Sequence, residues 1–142
     1  MAIPKDIQSQ VWDRDGGRCR YCLISQFGQA ARFHIDHIHP KRAGGAADIT
    51  NLALVCPSCN LHKSTRINAA DPLTGALTLL FHPLKQDWHL HFILRADGTC
   101  HGMSAAGRAT IAALQMNDID SVSARYLQIM LGVLSPTEQR RN

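Results

Sequence analysis

No run of the 142 residues approaches the eighteen or so consecutive apolar residues that a membrane helix needs, so a membrane-spanning role is not expected. The opening Met-Ala-Ile-Pro-Lys-Asp lacks the apolar core of a secretion signal, and a reducing cytoplasm is the expected compartment. There is no internal repeat, low-complexity tract or heptad pattern, which excludes solenoids and coiled coils. Acidic residues are also short, 11 against 15 Lys and Arg, and the imbalance is local. Residues 1–70 hold nine Lys/Arg against five Asp/Glu, whereas residues 71–142 hold six of each. The net +4 therefore sits in the first half, which suits a polyanionic partner there, although so small a surplus also suits an ordinary solvated surface.

Cysteine, by contrast, is present in a pattern. Cys19/Cys22 and Cys56/Cys59 form two C-x-x-C pairs, and in a reducing compartment such pairs are metal ligands more often than disulfides. Two intervening residues let both sulfurs of a pair reach one tetrahedral zinc ion at about 2.3 Å. Such a zinc staple would hold together a segment too polar to fold unaided. Between the pairs lies His34-Ile35-Asp36-His37-Ile38-His39-Pro40, and Asn60-Leu61-His62-Lys63 follows the second pair directly. A carboxylate beside an imidazole, with a carboxamide oxygen to follow, supplies what is needed to hold a hard divalent cation and activate a water. Cys100 is the odd thiol, placed in an expected strand and read as a buried small hydrophobe.

The punctuation of the chain predicts its elements. Pro4 to Asp15 suits a helix ended by Gly16-Gly17, Arg32 to Asp36 a strand, Asn51 to Val55 a short approach, and Pro57 onward a helix. Asp71-Pro72-Leu73-Thr74-Gly75 is an expected turn, followed by strands over Ala76–Phe81 and Trp88–Leu94, the latter with Trp88, Leu90, Phe92 and Leu94 on one face. Asp97-Gly98 should turn into a strand over Thr99–Met103. Ser104 then caps a helix to about Met116, and a last helix from Asp118 to about Leu134 should bury Val122, Tyr126, Ile129 and Val133. The tail from Ser135, with Arg140-Arg141, is expected to fray. These elements divide into residues 1–70 around the cysteines and an accessory unit over 71–142 packed on them.

The order Cys-x-x-Cys, Asp36-His37-Ile38, Gly44-Gly45, Asn51-Leu52, Cys-x-x-Cys-Asn60-x-x-Lys63 resembles the zinc-containing branch of the HNH endonucleases, within the His-Me finger (ββα-metal) nucleases. The likeness covers residues 14–66; more loosely, Trp88 to Asn117 is similar to the tail of small stand-alone HNH proteins. It implies an α+β fold: a treble-clef-like ββα-metal module with a structural zinc on Cys19, Cys22, Cys56 and Cys59, followed by a β-hairpin and two-helix extension. It implies an enzyme that hydrolyses DNA, most naturally double-stranded, leaving 5′ phosphate and 3′ hydroxyl. His37 would be the general base, its imidazole largely neutral at physiological pH. Asp36 and Asn60 would hold one catalytic ion; the family often has histidine at the third position, and Asn60 shifts the expectation to Mg²⁺ or Mn²⁺. Asn51 would tie the loop back and fix the backbone around His37, or serve as an ordinary turn asparagine. Lys63, Lys41, Arg42 and Arg66 are candidate phosphate contacts, Lys63 alternatively a solvated lysine.

Because neighbours on a flat strand point to opposite faces, Asp36 and His37 can address one phosphate only if the strand ends or bends there. His34 shares a strand face with Asp36, and His89 with His91, but neither pair has a third metal ligand in sight. A zinc-knuckle nucleic-acid-binding module without catalysis would leave the Asp-His step unexplained, and a treble-clef protein-interaction domain would put binding in residues 76–134. No helix-turn-helix or other reader of sequence is evident.

Overall fold

The computed structural model describes residues 2–138; Arg140 and Arg141 of the expected tail lie outside them. Helix α1 (Lys5–Asp15) ends at Gly16, whose φ of 61° is the left-handed conformation that lets a chain leave a helix sharply. Strand β1 (His34–His37) pairs antiparallel with β2 (Leu52–Val55), His34 opposite Val55 and His37 opposite Leu52. All four residues of β2 are buried, since α1 and the cysteine region cover it. Helix α2 (Pro57–Lys63) opens with proline, whose missing N–H costs nothing in a first turn. Cys56 caps it, its sulfur accepting from the Cys59 N–H at 3.4 Å. β1, β2 and α2 make a ββα unit in an α+β fold.

The second half departs from expectation in three places. Strand β3 (Asn68–Ala70) was not anticipated; it pairs with β4 (Leu77–Leu79), which occupies only the middle of the strand expected over Ala76–Phe81. Asp71, at the turn between them, is fully buried and binds the Leu73 N–H, the Thr74 hydroxyl and both arms of Arg108. The strand expected from Trp88 instead begins as one helical turn, α3 (Trp88–His91), before β5 (Phe92–Leu94). Asp87 caps that turn through the His89 N–H, Trp88 turns inward to donate to the Tyr21 carbonyl at 2.8 Å, and Leu90 is left 68% exposed. His89 and His91 accordingly share no strand face.

β5 pairs with β6 (Cys100–Gly102) through the Asp97-Gly98 turn. Glycine is needed there twice over: φ is 90°, and a Cβ would stand 2.4 Å from the Val122 carbonyl oxygen. Helices α4 (Ala105–Ala113) and α5 (Ile119–Met130) are capped by Ser104 and Asp118 and are shorter than expected. The inward residues of α5 also differ from the periodicity reading: Arg125 and Gln128 are buried, while Tyr126 is 43% exposed.

The core is continuous across both halves, joining Val11, Tyr21, Leu52 and Leu54 to Phe81, Trp88, Phe92 and Leu94. Polar ties cross the same seam, from Arg18 to the Val133 carbonyl, from Arg20 to the Pro83 carbonyl, and between the Gln128 carboxamide and the Ser25 backbone. Among the described residues no helix is long and apolar enough to cross a membrane.

Candidate functional site

The two cysteine knuckles meet. Cys19, Cys22, Cys56 and Cys59 are buried and unbridged, their ligand atoms all within 4.8 Å of one another, and Cys22 and Cys56 Sγ lie 3.8 Å apart. A tetrahedral ion with bonds of about 2.3 Å separates its sulfurs by about 3.8 Å, so the cage fits zinc. The donor set fits as well: hydrogen bonds from Cys19, then Cys56 and Cys59, hold the Cys22 thiol well below its ordinary range, and the same contacts push Cys56 and Cys59 up. Four thiols this close cannot all ionise without a cation, and a dication removes the conflict. Cys100 stands apart; burial pushes its thiol up to about 12, as suits an inert core residue.

The ββα unit carries the Asp-His step. Contrary to expectation, β1 does not end at Asp36; the ladder continues through His37 in regular register. Asp36 and His37 therefore leave the strand on opposite faces, with Asp36 on the side of His34. They remain close enough to interact. Burial raises the Asp36 carboxyl, and Lys63, then His37 and His34, pull it partway back. Lys63 comes from the end of α2 and is not the surface cation the sequence suggested: its side chain is 2% exposed and its ammonium lies 2.8 Å from Asp36 Oδ2 and 3.2 Å from the His37 carbonyl oxygen. The ammonium holds Asp36 in an ion pair, whereas His37 Nε2 is buried without a partner.

Asn51 organises the loop that leaves β1. Its Oδ1 accepts from the His39 N–H at 2.8 Å, its Nδ2 donates to the carbonyls of His39 at 3.0 Å and Ala46 at 2.9 Å, and its own carbonyl accepts from the Ile38 N–H. These bonds close the loop onto the end of β1 immediately after His37. Gly45 makes the closure possible, since a Cβ there would fall 1.8 Å from the His39 carbonyl oxygen and 2.9 Å from Asn51 Nδ2. Asn60 lies half-buried on α2, one turn before Lys63, and the side chains of Lys41, Arg42 and Arg66 are exposed. His39 Nε2 contacts the Ala43 carbonyl, His62 Nδ1 the Ser58 carbonyl and His91 Nδ1 the Ser104 hydroxyl. Among the described residues no group of three or more His, Cys, Asp or Glu ligands forms besides the four cysteines.

Three buried residues had no place in the sequence reading. Asp15 receives the Leu54 N–H at 2.8 Å and both arms of Arg14, pinning α1 to β2. Arg125 is fully buried; it donates to the Gly98 carbonyl at 2.8 Å and also to that of Met116, while its Nη1 has no hydrogen-bond partner. It lines a cavity of about 360 Å³ together with Cys22 and Cys56, and helps lower the Cys22 thiol. Tyr21, inside the first knuckle, is fully buried with an unpartnered hydroxyl. Period and motif single out none of them, because each depends on a contact between distant segments.

Residues 19–66, about a third of the chain, match the family model described as HNH endonuclease. The matched stretch runs from the first zinc-type cysteine past α2 and contains Asp36, His37, Asn51 and Asn60, so this part of the chain is similar to HNH endonucleases. That family is generally one of nucleases. No curated protein and no solved structure matches the chain.

Proposed function

We propose that the chain is a metal-dependent endonuclease that hydrolyses DNA phosphodiester bonds. The observation that carries this reading is the placement, inside the stretch that matches HNH endonucleases, of a half-buried Asp36 carboxylate next to His37, whose Nε2 is buried without a partner. Leaving buried polar atoms unmatched costs stability, and at an active site that cost is met when substrate or cofactor arrives.

Asp36 and Asn60 would hold one Mg²⁺ or Mn²⁺, which supplies Lewis acidity to the phosphate and the departing 3′ oxygen. His37 accepts a proton from the attacking water as that oxygen bonds to phosphorus and the P–O3′ bond breaks. In-line displacement puts water and leaving oxygen on opposite sides of phosphorus. The divergence of Asp36 and His37 across β1 is compatible with this when the phosphate sits at the end of the strand. Asn51 orients His37 through the backbone it braces. Lys63 neutralises Asp36 while the carboxylate has no other cation, and on release it can turn to the phosphate beside Arg66, Lys41 and Arg42.

The Lys63–Asp36 ion pair also favours one rival, a zinc-knuckle module that binds nucleic acid without cutting it. Incubation with supercoiled plasmid and Mg²⁺ or Mn²⁺ separates the two. The proposal expects nicked or linear product, and His37→Ala should cut at least about 100-fold more slowly with its zinc content unchanged. Plasmid bound but intact under every divalent ion tried would establish the rival.

A further inference from the structure

Beside the Asp-His step opens a cavity of about 600 Å³, most of whose wall, apart from Lys63 and Arg66, has no part in the hydrolytic reading. Buried Ile38, Leu80 and Phe81 line it from inside, and exposed Arg66 and Lys85 stand at its mouth. No carboxylate lines it. Tyr21, His39 and Lys63 also line it. Arg66 follows α2 in the HNH region, whereas Lys85 and Phe81 come from the second half, so neither half builds the cavity alone.

These features select a ligand. An apolar interior suits a flat, poorly hydrated group, and cations on the rim with no carboxylate among the lining residues suit an anion attached to it. An unstacked nucleobase with its flanking phosphates has both parts. The volume lies within the range of about 300–1,000 Å³ typical of ligand pockets. Location agrees: His39 also lines the cavity and lies two residues beyond His37, hence within about 7 Å of it along the backbone. That is about two base steps of one DNA strand.

We propose that this cavity receives a nucleobase unstacked from the strand being cut, one or two nucleotides from the scissile phosphate, with Arg66 and Lys85 on the adjoining phosphates. This inference rests on the endonuclease reading, because it presumes a DNA strand at His37. A base enters freely from single-stranded or distorted DNA, whereas an intact duplex must first be opened at a cost of a few kcal/mol.

The test measures binding of a fluorescent oligodeoxynucleotide, as single strand and as duplex, to zinc-loaded His37→Ala protein in which cutting is disabled. Ala106 lines the cavity from α4, and Ala106→Phe fills it. The expected result is a tenfold or greater loss of single-strand affinity in Ala106→Phe, with duplex affinity changed less than twofold. Lys85→Glu, at an exposed position that cannot threaten folding, should weaken single-strand binding about tenfold. Unchanged single-strand affinity in Lys85→Glu overturns the inference, as does an equal loss for both DNA forms in a folded Ala106→Phe protein. Failure of the hydrolytic reading registers separately, as plasmid left uncut by the wild-type protein.

Discussion

Lys63 illustrates how a single residue's role is decided by what lies opposite it. Motif order puts it on the helix face of Asn60, where a phosphate contact is a natural reading, but only the paired strands reveal that Asp36 lies within 2.8 Å of its ammonium. Replacing it by methionine keeps the stem and strands a buried carboxylate, so we expect Lys63→Met to lose about 3 kcal/mol of stability without divalent ions. Added Mn²⁺ should restore more stability to the variant than it adds to the wild type, as urea denaturation would record; equal gains would show that Asp36 holds no ion. Asn51 was a candidate through the resemblance, against the alternative of an ordinary turn asparagine, and the partners of its three side-chain hydrogen bonds could not be read from order alone. Gly45 was visible only as half of a Gly-Gly pair. Since its Cβ would meet the His39 carbonyl, Gly45→Ala should slow plasmid cutting by roughly 10- to 100-fold through displaced backbone, with zinc stoichiometry intact. A fully active Gly45→Ala enzyme would mean that the loop plays no part in placing His37.

At the level of elements, punctuation did best. Gly16 ends α1, Pro57 opens α2, and Ser104 and Asp118 cap α4 and α5, because these signals act through a residue's own backbone and near neighbours. Where the outcome depended on distant partners, the reading failed. The alternation from Trp88 to Leu94 fits a strand as well as it fits a capped turn followed by one, and the choice is made by the Tyr21 carbonyl awaiting the Trp88 indole. The β3–β4 hairpin hangs on Asp71, buried and gripped by Arg108 from α4. The Arg108 guanidinium first, then the Leu73 N–H and Thr74 hydroxyl, hold the Asp71 carboxyl well below its ordinary range. A carboxyl lowered in the folded state contributes stability that is full above its unfolded value of about 3.9 and is lost as pH falls below it. Thermal midpoints should therefore drop on acidification below about pH 4. In Arg108→Met the midpoint should already be low at neutral pH and fall less steeply with acid; an identical acid profile in wild type and variant would remove this pair from the account.

For the molecule as a whole, composition suggested two units, a metal-stapled one and an accessory, and the cysteine spacing correctly anticipated the cage. The charge asymmetry could not disclose that one core runs through both halves, nor that Arg125 of α5 lies buried beside Cys22. With zinc bound by four thiolates the cage carries two net negative charges, and a buried guanidinium next to it offsets part of them. Cys59→Ser should accordingly loosen the second half as well as the zinc-stapled first, seen as loss of amide protection in α4 and α5. A loss confined to the first half would show that the second half holds together without the zinc. Arg125→Met should release zinc to a competing chelator about tenfold faster, with Arg125→Lys intermediate. Anomalous scattering at the manganese edge from crystals soaked in Mn²⁺ decides whether Asp36 and Asn60 hold an ion. The expected result is a peak bonded to Asp36 and Asn60, with the Lys63 ammonium moved off the carboxylate. A soaked crystal with zinc on the cysteines, Lys63 still on Asp36 and no manganese between Asp36 and Asn60 would contradict the proposed metal site.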